Sequence, residues 1–273
     1  MRRILTIVSD LDGTLVPRVT FALAPRTVAA FRAAREAGAR IIIASGRSGA
    51  SMRPYAEELC GGLTAEDRYI SCNGAQVCNG TGAVIRETAM PVEAVHAAVR
   101  WLRARGVYVQ AYSSDGFVYD KECGYATAYA KSSGLRSVKV DDMIQFLDKP
   151  AIKLLGVDDP ARVPSLIEQA NEDLNGVVKF TTSEPQFLEI SHPDVSKGNA
   201  LRYLAGEMGF KPEDTLAFGD SLNDLTMLEW AGMSVATGNA RKDVKRRADR
   251  VCGECGECGP AAVIESLLAE GWI

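Results

Sequence analysis

A strand, a helix and a second strand follow one another near the start of the chain, and this order constrains the fold most. Residues 4–9 are apolar and rich in β-formers, as expected of a strand buried on both faces. Residues 25–37 are alanine-rich, begin with proline and precede Gly38, the usual signals at the two ends of a helix. Residues 41–43 are a second apolar segment. The short return between two buried strands predicts a right-handed parallel βαβ unit.

The rest of the chain has two different patterns. The C-terminal part continues the alternation, with helices predicted at 196–208, 223–231 and 261–269 and strands at 215–218, 234–236 and 250–252. The middle instead has a hairpin signal around Asn79 and pairs of adjacent strands between helices, which is typical of an antiparallel sheet. We therefore expect an α/β fold. A Rossmann-like parallel-sheet core would comprise residues 1–83 and 190–273, with an α+β domain inserted at 84–189.

Composition and charge exclude several classes of protein. Of the 273 residues, 47% are hydrophobic and 24% are charged, as in ordinary globular proteins. The formal net charge of −4 gives no attraction to nucleic acid or to an anionic membrane. No apolar run approaches the roughly 20 residues that span a bilayer, and Asp10 comes too early for a signal peptide. We expect a soluble, cytoplasmic protein without nucleic-acid or membrane partners; its oligomeric state is not predicted.

Two carboxylates follow the first predicted strand directly. Asp10 and Asp12 are two residues apart, so both would lie at the edge of the parallel sheet where such folds bind ligands. Close carboxylates are costly to ionise together unless a cation lies between them. The alternative is a solvated turn with helix-capping acids.

Three further strand or helix ends carry polar side chains. The hydroxyl of Ser45, after the second strand, could bind a phosphate oxygen, although small residues there often only form a turn. Lys197 lies in the first turn of a predicted helix, where the dipole disfavours a cation unless an anion is bound. It could also be an ordinary surface lysine. Asp220, Asn223 and Asp224 follow another strand and suit a hard cation or, alternatively, a helix N-cap.

The seven cysteines do not suggest a disulfide framework, because the number is odd and most are scattered. Three of them, Cys252, Cys255 and Cys258, form a C-x-x-C-x-x-C run that could supply ligands to zinc or to an iron–sulfur cluster. No fourth ligand is evident in the sequence. An ordinary loop is the alternative.

As a set, these residues resemble the haloacid dehalogenase superfamily of phosphotransferases that use an aspartate nucleophile. The similar motifs are, in chain order, Asp10-Leu-Asp12-Gly-Thr, Ser45, Lys197 and Asp220-Ser-Leu-Asn223-Asp224. The length and layout of the middle segment resemble the cap of the Cof-type phosphatases in this superfamily. The stretches that begin at Asn73 and Gly238 are also similar to that subgroup. The thiols at 252–258 depart from it, since polar residues are usual there.

The resemblance implies a role for each matched residue. Asp10 would attack phosphorus and form an aspartyl-phosphate. Asp12 would protonate the leaving alcohol and then deprotonate the attacking water. Ser45 and Lys197 would complete the catalytic set by binding the transferred phosphoryl group.

The resemblance also implies a metal ion and a substrate site. Mg²⁺ would be held by the Asp10 carboxylate, the Asp12 carbonyl and Asp220, with Asp224 in support. Weaker candidates for substrate contact are Gly46, Arg47, Asn73, Gly74 and Asn223.

The function expected is therefore a Mg²⁺-dependent phosphatase acting on a small phosphorylated metabolite such as a sugar phosphate. A phosphomutase, which returns the phosphoryl group to its substrate, would use the same aspartyl-phosphate. A non-enzymatic phospho-acceptor module is a third hypothesis. Asp12 argues against it, because a pure acceptor needs no acid or base two residues away.

Overall fold

The computed structural model describes residues 3–113, 116–125, 136–182 and 184–273. The chain separates into two compact units: Met1–Arg86 with Ser196–Ile273, and Glu87–Val195. These bounds differ from the predicted ones at 83 and 189. The strand Val84–Glu87 closes the first sheet, and Phe187–Ser191 pairs within the second.

The elements are numbered in chain order. The strands are β1 (Thr6–Ser9), β2 (Arg40–Ala44), β3 (Arg68–Ser71), β4 (Gln76–Asn79), β5 (Val84–Glu87), β6 (Tyr108–Ser113), β7 (Gly116–Tyr119), β8 (Arg136–Lys139), β9 (Lys153–Val157), β10 (Lys179–Thr181), β11 (Phe187–Ser191), β12 (Thr215–Gly219), β13 (Met233–Ala236) and β14 (Arg250–Val251). The helices are α1 (Pro25–Glu36), α2 (Gly49–Cys60), α3 (Val92–Ala104), α4 (Met143–Phe146), α5 (Val163–Asp173), α6 (Lys197–Met208), α7 (Leu225–Leu228), α8 (Lys242–Arg247) and α9 (Gly259–Ala269).

The first unit is built on an eight-stranded sheet in the order β14-β13-β12-β1-β2-β3-β4-β5. From β14 to β3 neighbouring strands are parallel, and β4 then pairs antiparallel with β3. Ser9 at the end of β1 lies beside Phe218 of β12 and Ile43 of β2. The carboxyl ends of these three strands are therefore level with one another. This confirms the predicted Rossmann-like core.

Helices cover both faces of this sheet because successive side chains of a buried parallel strand point to opposite sides. Ile7 of β1 packs in the cluster that contains Phe31 of α1, together with residues of α2 and α9. Its neighbour Val8 packs in the opposite cluster, with Leu201 of α6 and residues of α7 and α8. The core thus has three layers.

The start of α6 is defined by its sequence. The side chain of Ser196 accepts a hydrogen bond from the backbone N–H of Asn199 at 3.1 Å, and Gly209 ends the helix in the left-handed conformation. The helix predicted at 196–208 is present as Lys197–Met208, with Ser196 as its N-cap. Lys197 is consequently fixed at the first helical position.

The helix predicted at 223–231 is wrong in length and start. A 3-10 turn at Leu222–Asp224 leads into α7, which ends at Leu228. The side chain of Asp224 accepts hydrogen bonds from the backbone N–H groups of Asp220 and Ser221, both at 2.9 Å. Ser221 and Asp224 form a capping box at this turn. Asp224, a residue type that favours the start of a helix, therefore closes the 3-10 turn that precedes α7.

The second unit contains a six-stranded sheet in the order β10-β11-β9-β6-β7-β8. Its pairs are antiparallel except for β7 and β8. One face is packed against α3 and α5, where Val99 and Leu166 join Val109 and Leu154 of the strands. This arrangement confirms the predicted α+β class of the inserted domain. None of the helices described has the length and apolar character required to cross a membrane.

Two glycines of α6 provide a matched test of how this helix packs. A Cβ at Gly198 would lie 2.2 Å from the backbone oxygen of Thr226 in α7, whereas nothing lies within 4 Å of a Cβ at Gly206. We expect Gly198→Ala to lower the free energy of unfolding by roughly 1–3 kcal/mol through overpacking. Gly206→Ala should raise it by about 0.5–1 kcal/mol, because alanine loses less backbone entropy. Urea denaturation measures both; shifts of the same sign would contradict the close approach.

Candidate active site

The polar residues predicted to form a site follow strands that are neighbours in the first sheet. Asp10 comes directly after β1, Ser45 after β2 and Asp220 after β12. Since the carboxyl ends of these strands are level, the three side chains start from one edge of the sheet. This is where open parallel sheets bind ligands.

Lys197 links two of these segments from the start of α6. Its side chain is fully buried, and Nζ donates hydrogen bonds to Asp10 Oδ1 at 2.5 Å and to Asp224 Oδ1 at 2.6 Å. The two carboxylates hold the pKa of Lys197 above its usual value, although burial alone would lower it. Lys197 therefore carries a positive charge, and the interpretation of it as an ordinary surface lysine is wrong.

Three buried carboxylates converge beside this ammonium group. Asp10, Asp220 and Asp224 each present an oxygen within 4.8 Å of the others. Burial, and then the charge of Asp224, raises the pKa of Asp10 well above its ordinary value despite Lys197. The same two causes raise the pKa of Asp220 to about 6, against the opposing charge of Arg18. The cluster therefore has more negative charge than its surroundings stabilise.

Asp12 lies in a different environment from Asp10. Its two carboxylate oxygens accept hydrogen bonds from Arg47, with Nη2–Oδ1 and Nε–Oδ2 distances of 2.6 and 2.8 Å. The guanidinium of Arg47 also lies over the ring of Tyr55, 4.8 Å from its centroid. Burial lowers the pKa of Arg47, but the contact with Asp12 outweighs it and the net shift is upward. The Asp12 side chain thus faces Arg47 and is not one of the three converging carboxylates.

Ser45, Asn73 and Asn223 form a second group near the same edge. The hydroxyl of Ser45 accepts a hydrogen bond from the backbone N–H of Arg47 at 3.1 Å, and its carbonyl accepts one from Asn73 N at 3.0 Å. The Asn73 side chain accepts a hydrogen bond from Asn223 Nδ2 at 2.9 Å. It also lies 3.1 Å from the position of a Cβ on Gly46. These contacts bring the predicted substrate residues of three strand ends together.

Gly74 has a structural reason for its identity. Its φ is +101°, and a Cβ would lie 2.3 Å from the backbone oxygen of Ser196. Only glycine therefore allows this turn to lie against the start of α6. The structure places the backbone of Gly74 against Ser196 and Lys197 at the start of α6.

Several residues of the site were missed by sequence reasoning. Thr14 donates a hydrogen bond to Asp220 Oδ1 at 3.3 Å, and Arg18 donates one to Asp220 Oδ2 at 3.1 Å. Asn239 donates to the carbonyl of Gly13 at 2.8 Å and thereby fixes the turn after β1. Thr14 and Asn239 could have been found from the sequence, since Thr14 belongs to the Gly-Thr that follows Asp12 and Asn239 to the stretch that begins at Gly238. Arg18 is an isolated arginine in a loop, and no sequence pattern indicates its role.

The three thiols of the cysteine run do not converge on one point in the part of the chain that the structure describes. Among those residues the only group of three converging ligand atoms is the aspartate cluster. Cys252 Sγ donates to the carbonyl of Gly253 at 3.4 Å, and Cys255 N donates to Asn239 Oδ1 at 2.8 Å. Burial raises the pKa values of Cys252 and Cys255 to about 11 and about 12, so both are thiols near neutral pH. The loop supports Asn239 instead.

Comparisons with known proteins show the family of this chain. The family model described as haloacid dehalogenase-like hydrolase matches residues 7–264. A pyridoxal phosphate phosphatase of Escherichia coli (strain K12) is 29% identical, with 96% of this chain and 98% of the relative covered. A 5-amino-6-(5-phospho-D-ribitylamino)uracil phosphatase of Bacillus subtilis (strain 168) is 28% identical, with 96% and 98% covered. The chain is thus similar to phosphatases over nearly its whole length.

A solved structure gives the same result for the fold. The crystal structure of a haloacid dehalogenase-like hydrolase from Bacteroides thetaiotaomicron matches with a TM-score of 0.84 and 28% identity. The match covers 97% of this chain and 100% of that one. Both the core and the inserted domain therefore have counterparts in that protein.

The raised pKa of Asp220 predicts a pH-dependent stability. Its folded value of about 6 lies above the ordinary 3.8, so its favourable contribution is full at low pH and is lost as the pH rises through about 6. In chelator, the free energy of unfolding of Asp220→Asn relative to that of the wild type should therefore rise by about 2–3 kcal/mol from about pH 4 to about pH 7.5. Urea unfolding at each pH measures this difference.

The control is Asp243→Asn, which removes an exposed carboxylate that pairs with Arg246. Because the carboxylate that it removes is exposed, the control should not show the rise in stability expected for Asp220→Asn over this pH range. If Asp220→Asn showed no such rise either, the unfavourable burial of the Asp220 carboxylate would be refuted.

Proposed function

This chain belongs to the haloacid dehalogenase-like hydrolases, whose family model matches residues 7–264, and on that premise we propose that it is a Mg²⁺-dependent phosphatase of small phosphorylated metabolites. The observation that carries this proposal is the buried Asp10 carboxylate, held by Lys197 beside two further aspartates. The names of the two relatives support the substrate class. Since those relatives act on different phosphate esters at nearly equal identity to this chain, the substrate is proposed only as a class.

The aspartate cluster fits a divalent cation. Its donors are all oxygen atoms, which Mg²⁺ prefers, and burial together with the charge of Asp224 raises the pKa values of Asp10 and Asp220. We propose that Asp10, Asp220 and the carbonyl of Asp12 hold Mg²⁺, with Asp224 in support. When bound, the ion would offset the repulsion between the Asp10 carboxylate and the oxygens of the phosphoryl group.

Asp10 is the proposed nucleophile. One of its oxygens attacks phosphorus as the bond from phosphorus to the leaving oxygen breaks, which gives an aspartyl-phosphate and an alcohol. Lys197 donates to Asp10 Oδ1, so it holds one oxygen of the carboxylate and leaves the other for attack. Burial removes water that would otherwise solvate the attacking carboxylate.

Asp12 is the proposed acid and base. In the first step its proton goes to the leaving oxygen; in the second it takes a proton from the water that attacks the aspartyl-phosphate, and Asp10 is released with inorganic phosphate. Arg47 donates to both oxygens of Asp12, and each oxygen keeps a second lone pair that can take up the proton. Arg47 therefore positions Asp12 for the exchange.

The phosphoryl group is proposed to bind between Ser45 and Lys197. The hydroxyl of Ser45 is buried and accepts from the Arg47 backbone, which leaves its own proton available to a phosphate oxygen. Asn223 offers a second polar contact. Its Oδ1 is buried and has no hydrogen-bond partner among the described residues, so a hydroxyl of the substrate or a water can donate to it. Positioning and charge supply most of the rate of such reactions.

Removal of the nucleophile or of the cation tests the function. The wild type should release phosphate from at least some members of a panel of sugar, nucleotide and cofactor phosphates when Mg²⁺ is present. Asp10→Asn should reduce this rate by roughly 10⁴-fold or more, because the variant cannot form the aspartyl-phosphate. Excess EDTA should abolish the activity and added Mg²⁺ should restore it.

Asp243→Asn is the matched control, since it changes the same functional group on the exposed surface. It should retain the wild-type rate. Full activity of Asp10→Asn, or full activity in EDTA, would overturn the proposal. Conversion of a phosphate ester to its isomer without phosphate release would instead favour a phosphomutase.

The two roles of Asp12 can be separated by the choice of substrate. p-Nitrophenyl phosphate has a leaving group that departs without a proton, so Asp12→Ala should still complete the first step with it. The second step still needs a base, and we expect steady-state turnover about 10²–10⁴-fold below the wild type. Rapid mixing should therefore show a burst of about one p-nitrophenol per enzyme, the mark of an accumulated covalent intermediate.

Asp10→Asn provides the comparison in this experiment, and it should give neither burst nor turnover. An Asp12→Ala enzyme that turns over slowly with no burst would show that Asp12 acts mainly in the first step, contrary to the assignment.

A further inference from the structure

Arg18 lies where the proposed cation would bind, although it is part of no motif in the sequence. It follows Asp12 in the loop after β1. Its Nη2 donates to Asp220 Oδ2 at 3.1 Å and to the backbone carbonyl of Asp12 at 3.4 Å. Its Nε lies 2.9 Å from the position of a Cβ on Gly13, so the chain leaves room for it there. Two of the oxygens proposed to hold Mg²⁺ thus accept hydrogen bonds from one guanidinium group.

The charges explain why a guanidinium is stable at this position. The three converging carboxylates are faced from within by a single ammonium, that of Lys197, which donates to Asp10 and Asp224 but not to Asp220. Arg18 provides the opposite charge that Asp220 lacks, and it lowers the pKa of Asp220 against burial and Asp224. A divalent ion on the same oxygens would compensate the negative charge of Asp220 more completely than Arg18 does. The guanidinium of Arg18 would then repel that ion.

The two ends of this contact differ in their exposure to solvent. The side chain of Asp220 is 6% exposed, whereas that of Arg18 is 35% exposed. Of the two, Arg18 is the side chain that would have to move to make room for a cation. By contrast, Lys197 is fully buried between two carboxylates.

We propose that Arg18 is a built-in competitor of the cation: it pairs with Asp220 and the Asp12 carbonyl in the metal-free protein and must leave for Mg²⁺ to bind. The proposal rests on the proposed function, because it presupposes Mg²⁺ at this site. It adds that the chain itself sets its metal affinity. Arg18 stabilises the metal-free protein and raises the Mg²⁺ concentration needed to fill the site.

The test is Mg²⁺ binding by the full chain, measured by calorimetry after removal of metals. Arg18→Gln keeps a polar side chain of similar length but removes the charge. It should bind Mg²⁺ roughly fivefold to twentyfold more tightly than the wild type, as expected for removal of one partly exposed like charge. Thermal unfolding gives a second readout. In EDTA the variant should melt at a lower temperature than the wild type, and with saturating Mg²⁺ this gap should close.

Arg26→Gln is the matched control, since it removes an equal charge from an exposed arginine that pairs with Glu265. Its Mg²⁺ affinity should equal that of the wild type. If Arg18→Gln does not fold in chelator, Arg18→Lys is measured in its place. Because an ammonium group cannot reproduce the planar guanidinium that donates to both Asp220 and the Asp12 carbonyl, we expect this variant to bind Mg²⁺ about threefold more tightly than the wild type.

The outcomes separate this inference from the proposed function. If the wild type binds Mg²⁺ and the Arg18 variants bind it equally or more weakly, the competition is refuted while the phosphatase proposal stands. If the wild type releases phosphate but neither it nor any Arg18 variant binds Mg²⁺ in calorimetry, the cation assignment fails, and the role of Arg18 with it. An equal gain in affinity in Arg26→Gln would reduce the effect to net charge and would also refute the competition.

Discussion

The contact between the buried ammonium of Lys197 and two carboxylates is the interaction on which the rest of the site depends. It joins the end of β1, through Asp10, to the turn after β12, through Asp224. Loss of one partner from such a buried pair typically costs about 3–5 kcal/mol, because a charge is left without compensation. The same contact fixes the nucleophile of the proposed reaction. Stability and chemistry are therefore coupled in one side chain.

The backbone around that contact is packed very closely. The position of a Cβ on Gly198 is 2.2 Å from the Thr226 carbonyl, and that on Gly74 is 2.3 Å from the Ser196 carbonyl. Two glycines thus allow the start of α6 to lie against α7 on one side and the turn after β3 on the other. A larger residue at either position would move Lys197 away from the sheet edge.

The sequence alone was enough to predict that polar residues after three strands lie at one edge of the sheet, for a reason that lies in the topology. Parallel strands that are neighbours end at one edge, so polar residues directly after β1, β2 and β12 had to converge once those strands were recognised. The start of α6 was also predictable, since Ser196 and Gly209 mark its ends. Where an element's signals are local, the sequence and the structure agree.

The predictions from sequence fail where a feature depends on contacts of side chains and not on a local sequence pattern. Asp224 was expected within a helix, yet its carboxylate caps a 3-10 turn and binds Lys197. Helix α2 was not predicted, since its sequence begins with glycine and contains Pro54. The pairing of Arg47 with Asp12 and of Arg18 with Asp220 depends on loop geometry. Contacts between residues distant in sequence leave no periodic pattern to read.

The structure also explains how two aspartates only two residues apart can have different tasks. Asp10 is buried, bound by Lys197 and surrounded by other carboxylates, so its pKa is raised. The side chain of Asp12 is 28% exposed and forms its two hydrogen bonds with Arg47, outside the carboxylate cluster. A carboxylate held rigidly and away from water suits nucleophilic attack, whereas one that reaches solvent can exchange protons with it. In active sites, two acids of the same type can have different roles when their environments differ in this way. The proposed assignment of nucleophile and acid–base therefore follows from packing around each residue and not only from the order of the motif.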